Sequence, residues 1–337
     1  MLTDWPKLHG DFFRHQKALV TGGAGFIGSH ITEGLLDLGA TVVVLDDLSG
    51  TGGSWENAEV LEPKAGGRLT RITGSILDKP LLARIVPGCR YVFHQAALGS
   101  VPRSVEQPEL YTHVNVVGTL NVLEAARAAG VARVMFAASS SAYGDTPTLP
   151  KIETMPPSPR SPYAANKVAC EAMLSGWAAS YGLDTAALRY FNIFGPRQNA
   201  NSAYAAVIAA FAKAIVAGQD PVIFGDGEQS RDFTFVDNVV QANLLAARST
   251  RPIQGQVINI ACGQRITVNE LAAQMARMMG RPDLKARHEP ERAGDVKHSL
   301  ADLARARQVL GYQPVVGFEP GLNATVQWYH QVLTASI

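Results

Sequence analysis

A chain of 337 residues, 47% of them hydrophobic, can bury a large core as one big domain or two closely joined ones. Its 30 Lys and Arg against 29 Asp and Glu leave a net charge of +1, which gives no electrostatic reason to expect a nucleic-acid or anionic-membrane partner. Cys89, Cys170 and Cys262 lie far apart without CxxC spacing, and the eight histidines are dispersed, so neither a disulfide framework nor a metal site is expected.

Residues 1–15 are interrupted by Asp4, Pro6, His9 and Asp11 and lack the apolar centre of a signal peptide. No later run is long and apolar enough for a membrane span; even 203–217 contains Lys213. The expectation is a cytoplasmic protein. Residues 17–21 read as a buried strand that runs into Gly22-Gly23-Ala24-Gly25-Phe26-Ile27-Gly28, followed by helical spacing over 31–38. Gly22 and Gly25 let the main chain turn close to a pyrophosphate at the helix start, and Gly28 lets helix and strand pack tightly. Such a glycine turn marks a dinucleotide site, with Phe26 and Ile27 beside it. The next strand, 41–45, ends in Asp46-Asp47, where a carboxylate accepts from an adenine ribose and repels a 2'-phosphate, so NAD is expected rather than NADP.

Strands at 69–73, 91–94 and 133–138 alternate with helical stretches at 81–86 and 110–129, which predicts a parallel, doubly wound sheet. In such sheets ligands lie beyond the carboxyl ends of the strands. That assigns Ser75 and Ile76, and Gln95, Ala96 and Ala97, to the cofactor; Asp78 is either an adenine-side contact or a loop-capping carboxylate. Next come Ser139-Ser140-Ser141-Ala142-Tyr143-Gly144 and Ser161-Pro162-Tyr163-Ala164-Ala165-Asn166-Lys167. With Ser161 as cap and Pro162 as first helical residue, Tyr163 and Lys167 stand four apart on one face. A free phenol has a pKa of about 10; a neighbouring ammonium and a nicotinamide cation are expected to lower it until it accepts a proton from an alcohol.

These strings, with TGGAGFIG at 21–28, HQAA at 94–97, YAANK at 163–167 and RYFNIFGPRQ at 189–198, resemble the extended short-chain dehydrogenase/reductase family over nearly the whole chain. The resemblance implies a Rossmann-type α/β domain over 1–190 and a smaller α/β lobe over 191–337 that binds a nucleotide sugar, with segments exchanged between the two. It implies NAD as cofactor and Ser139, Tyr163 and Lys167 as the catalytic set, Ser139 lying four before the Tyr143-Gly144 pair. Ser140 and Ser141 then fall near the sugar, where dehydratases and decarboxylases of related design carry a carboxylic acid. Elimination is therefore disfavoured, and reversible oxidation at C4 through a transient 4-keto sugar remains.

Longer strings at 94–104, 225–233 and 294–302 resemble the UDP-N-acetylglucosamine 4-epimerases of bacterial surface-polysaccharide pathways. By that resemblance Asn192, Arg231 and Arg292 meet the UDP phosphates, as planar guanidinium donors suit them. Asp295 accepts from the uridine ribose. Ala206, Val207 and Ile223 line the uracil slot, although Tyr204, Val207, Ile208 and Phe211 also have the spacing of a core helix. Ser299 stands where galactose-only relatives carry a bulky aromatic against the C2 substituent, leaving room for an N-acetyl group. Ser100 and Arg103 suit a C6 carboxylate in the rival reading, a 4-epimerase of UDP-uronic acids or their N-acetyl forms. A nucleotide-binding regulator without turnover is the alternative from another class; the intact Ser139, Tyr163 and Lys167 set argues against it. Covering helices are expected at 268–279, 300–310 and 318–332, and the family implies a homodimer through helices near 110–129 and 163–180.

Overall fold

The computed structural model describes residues 1–50, 53–199, 207–291 and 297–334. Seven parallel strands form the central sheet: β1 (Lys17–Thr21), β2 (Thr41–Asp46), β3 (Leu69–Thr73), β4 (Tyr91–His94), β5 (Arg133–Ser139), β6 (Thr185–Tyr190) and β7 (Gln256–Ile260). They lie in the order 7-6-5-4-1-2-3, so the chain reverses its direction of winding between β1 and β4, where Thr21 is in register with His94. Side chains alternate between the two faces. Ala18, Val20, Val42 and Val44 belong to one buried layer, and Leu19, Val43 and Leu45 to the other.

The helix after β1 runs from Phe26 to Asp37, starting earlier than the apolar spacing alone predicts because Gly25 itself serves as its cap. The helix Pro162–Tyr181 begins as expected: Ser161 accepts from the Ala164 amide, Pro162 is the first residue, and Gly182 closes the helix at φ 70°. The predicted helix over 110–129 is three joined pieces, Pro108–Thr112, a π-helical turn His113–Val117 and Gly118–Ala128. Over 300–310 only Ala304–Leu310 is helical. Ala301 instead bridges to Lys151, and the Asp302 carboxylate accepts from the Ala304 amide to start the helix.

Beyond β6 the chain builds a smaller lobe around Phe194, Phe211, Phe233, Phe235 and Phe318, covered by helices Val207–Val216, Val268–Met278 and Phe318–Thr334. Between the first and second of these helices it returns to the large layer: helix Val236–Arg248 packs on helix Phe26–Asp37, and β7 adds an edge strand beside β6. Asp232, fully buried, accepts from the amides of Cys262, Gly263 and Ala301 and so ties the two bodies together. Among the described residues no helix is long and apolar enough to cross a membrane, and no group of three His, Cys, Asp or Glu side chains is placed to hold a metal.

Candidate active site

A cavity of about 1780 Å³ runs along the carboxyl ends of the strands and under the smaller lobe. At one end it is walled by main chain. Gly22 has φ 71°, and a Cβ there would lie 2.6 Å from the Ala96 amide nitrogen; a Cβ on Gly28 would lie 2.2 Å from the Gly22 carbonyl oxygen. The Asp46 carboxylate accepts from the amides of Ala24 and Leu48, each at 3.0 Å, which braces the turn against the end of β2. Burial raises the Asp46 pKa, and those two amides partly offset it. Gln95 accepts from the Tyr190 hydroxyl at 3.2 Å, while its Nε2 is buried in the cavity wall with no partner. A glycine cradle at a helix start, an acid at the tip of β2 and a waiting amide donor are the donor set a dinucleotide needs.

Gly22, Gly25, Phe26, Ile27, Gly28, Asp46, Asp47, Ile76, Gln95, Ala96 and Ala97 all line this part of the cavity. Ser75 does not. Its hydroxyl accepts from the Leu77 amide, shaping the turn that presents Ile76 instead. Asp78 is a capping carboxylate: it accepts from Leu81 N at 2.9 Å at the start of helix Lys79–Ile85, outside the cavity lining.

At the centre β5 and helix Pro162–Tyr181 bring Ser139, Tyr163 and Lys167 together. The Ser139 hydroxyl accepts from the Ser141 amide at 3.2 Å and from its hydroxyl at 2.9 Å. The Tyr163 amide donates to Ser104, pinning the first turn of its helix. Lys167 Nζ donates to the Ala137 carbonyl at 2.7 Å and lies 5.8 Å from the centre of the Tyr163 ring. The charges differ from the expectation drawn from spacing. Burial raises the phenol of Tyr163, a hydrogen bond with Ser139 pulls it back, and Tyr111 pushes it further up. Burial also brings Lys167 down to about 8, against smaller opposing effects of Cys170 and Glu171. In the protein without its cofactor, desolvation sets the direction of the Tyr163 shift.

The other end is walled by side chains. Ser100 caps helix Val101–Glu106 by accepting from the Arg103 amide, and both residues line the cavity. Ser140 and Ser141 lie on the short 3-10 turn Ser140–Tyr143. Asn192, held at φ 41°, donates to the Asp232 carbonyl, and Arg231 Nη1 donates to the carbonyls of Ser230 and Lys297 at 3.1 Å each. Both line the cavity with Ser299 and with His298, whose Nδ1 shares a 2.9 Å hydrogen bond with Ser230. Ile223 does not line it: on the three-residue strand Val222–Phe224 it is the inward residue, buried in the smaller lobe's core. Val207 likewise packs against that core, as the helical spacing allowed. Ala206, Arg292 and Asp295 lie outside the described residues. Lys151, Tyr190 and Arg197 also line the cavity, unforeseen from sequence. Tyr190 and Arg197 fall within a motif singled out there, whereas Lys151 had no neighbouring signal.

A model of the NAD dependent epimerase/dehydratase family matches residues 18–261. The chain is 42% identical over 317 residues to the UDP-glucose 4-epimerase of Mycolicibacterium smegmatis, covering 93% of this chain and 98% of the relative. Among solved structures it is similar to the UDP-N-acetylglucosamine 4-epimerase of Methanobrevibacter ruminantium in complex with UDP-N-acetylmuramic acid, at TM-score 0.89 and 42% identity over 95% of this chain and 99% of the other. It is also similar to the Thermus thermophilus UDP-glucose 4-epimerase in complex with NAD, at TM-score 0.82 and 36% identity over 93% and 99% of the two chains.

Proposed function

The chain belongs to the NAD dependent epimerase/dehydratase family, and on that premise we propose that it interconverts UDP-N-acetylglucosamine and UDP-N-acetylgalactosamine by inversion at C4, with UDP-glucose and UDP-galactose as a secondary pair. The observation that carries this reading is Ser139 beside Tyr163 and Lys167, followed by two hydroxyl residues, Ser140 and Ser141, rather than by an acid.

NAD, the family's cofactor, would be held by the glycine turn 22–28, by Asp46 and by the free Gln95 amide, with Lys167 lining the same cavity. When bound it supplies a hydride acceptor and a positive charge near Tyr163. The Tyr163 phenol takes the proton from the sugar O4 and later returns it, and Ser139, hydrogen-bonded to that phenol, shares the same oxygen. Lys167 carries its charge below pH of about 8 and favours the ionised phenol. Neither Ser140 nor Ser141 is a strong enough acid to expel water from the ring, so the 4-keto sugar has no exit but reduction on either face. Ser299, small and in the cavity wall, leaves room for the C2 acetamido group.

A second reading, 4-epimerisation of UDP-uronic acids or their N-acetyl forms, is supported by Arg103, half-buried in the cavity wall. Exposed Val105, Leu110 and Tyr181 support a homodimer through the helices near 110–129 and 163–180. A cytoplasmic setting suits substrates made from nucleotide precursors. The reading is tested by incubating the purified protein with UDP-N-acetylglucosamine and no added cofactor. Appearance of the galacto product is expected; its absence, with UDP-uronic acids converted, favours the second reading, and no conversion of any UDP-sugar leaves a nucleotide-binding regulator.

A further inference from the structure

Lys151 is only 2% exposed, yet it belongs to the cavity wall. Its Nζ donates to the Thr146 carbonyl and, at 3.0 Å, to the Thr146 hydroxyl. Among the described residues no carboxylate forms an ion pair with it; Asp145 acts only through space and lies 3.9 Å from Arg160 instead. Burial accordingly lowers the Lys151 pKa. A buried ammonium with two neutral oxygen acceptors has capacity for a third, and the desolvation of its charge is offset only in part by those two.

The main chain aims this group. Lys151 N donates to the Leu300 carbonyl, Asp302 N donates to the Lys151 carbonyl, and Asn259 Nδ2 donates to that same oxygen. The resulting parallel bridge sets Lys151 opposite Ala301. Because side chains alternate with a period of two along an extended segment, Ser299 lies on the same face as Ala301 and Lys151. A small hydroxyl residue that leaves space and a buried cation that lacks a counter-charge therefore border one part of the cavity.

We infer that the Lys151 ammonium donates a hydrogen bond to an sp2 oxygen carried by the hexose, an acetamido carbonyl or a carboxylate, and thereby selects substituted sugars over plain ones. The inference rests on the UDP-sugar 4-epimerase reading and deepens it: Ser299 admits the substituent and Lys151 holds its oxygen. UDP-glucose, with hydroxyls only, offers no such oxygen on its ring.

The test compares the full chain carrying its cofactor with its Lys151→Met and Lys151→Gln variants. Each is assayed for kcat/KM with UDP-glucose, UDP-N-acetylglucosamine and UDP-N-acetylglucosaminuronic acid. A hydrogen bond from a charged group is worth a factor of roughly 10 to 100, so the preference for the substituted sugar over UDP-glucose is expected to fall by that factor in Lys151→Met. Lys151→Gln, which keeps a donor but no charge, should fall less. Loss with both acetamido sugars assigns the acetamido carbonyl as the acceptor, and loss seen only with the uronate assigns the carboxylate. Should all three sugars change by one common factor, or none change in a variant with the parent's melting midpoint, Lys151 serves only the loop and the inference is overturned. Failure of the unsubstituted parent chain on every sugar would instead count against the epimerase reading.

Discussion

One wall of the cavity is made of main chain and the other of side chains. On the cofactor side, β1, β2 and β4 end in turns whose glycines, amides and capping carboxylate are fixed by the sheet itself. On the side proposed to hold the sugar, Ser100, Arg103, Asn192, Arg231 and Ser299 come from separate loops and short elements, held by hydrogen bonds between distant segments. The first wall tolerates little change of residue, since any Cβ at Gly22 or Gly28 collides with backbone. The second can be retuned one side chain at a time, which is how a shared chemistry serves different sugars.

Substitutions where the walls meet should have the largest effect. Tyr163→Phe removes the proton acceptor while keeping the ring, and epimerisation is expected to fall by about 10² to 10⁴ in kcat with the fold intact. Steady-state turnover measures it, and a rate within threefold of the parent would break the assignment of the phenol. On the sugar wall the expected effect is smaller and selective. Ser299→Tyr should lower kcat/KM for UDP-N-acetylglucosamine relative to UDP-glucose by roughly 10 to 200-fold, the range of a steric pocket change. Equal loss on both sugars would remove the steric account.

The buried lysine gives a stability prediction. With its folded pKa lowered to about 8 from 10.5, Lys167 binds its proton less tightly in the folded than in the unfolded chain. Its destabilising contribution is full below about pH 8 and fades as pH rises toward 10.5. Lys167→Met should therefore raise the urea midpoint of the cofactor-free protein at pH 7, and the gain should shrink by pH 9.5; a constant gain would contradict the burial argument. The smallest effect belongs to a residue outside the cavity. Asp78→Ala should cost about 1 kcal/mol of stability through loss of the helix cap, with unchanged retention of NAD through purification. Weakened NAD retention would restore the adenine contact that the sequence left open.

What was legible beforehand follows the same division. The glycine turn, the acids after β2 and the Ser161-Pro162 start of the catalytic helix are local patterns, so spacing alone placed them. Ile223 was misplaced because a strand of three residues shows no period long enough to tell its inward from its outward side chains. The break in helix 300–310 arises from pairing of Ala301 with Lys151, a contact between remote segments that also gives Lys151 its setting. Neither partner announces the other in sequence. The direction of the Tyr163 shift was likewise hidden, since it depends on how completely the fold covers the phenol.

The account depends on one carbon losing and regaining its own hydrogen inside a closed site. Purified protein given UDP-N-acetylglucosamine deuterated at C4, in ordinary water, should yield UDP-N-acetylgalactosamine that keeps its deuterium at C4. Product that has exchanged that deuterium for solvent hydrogen would contradict it.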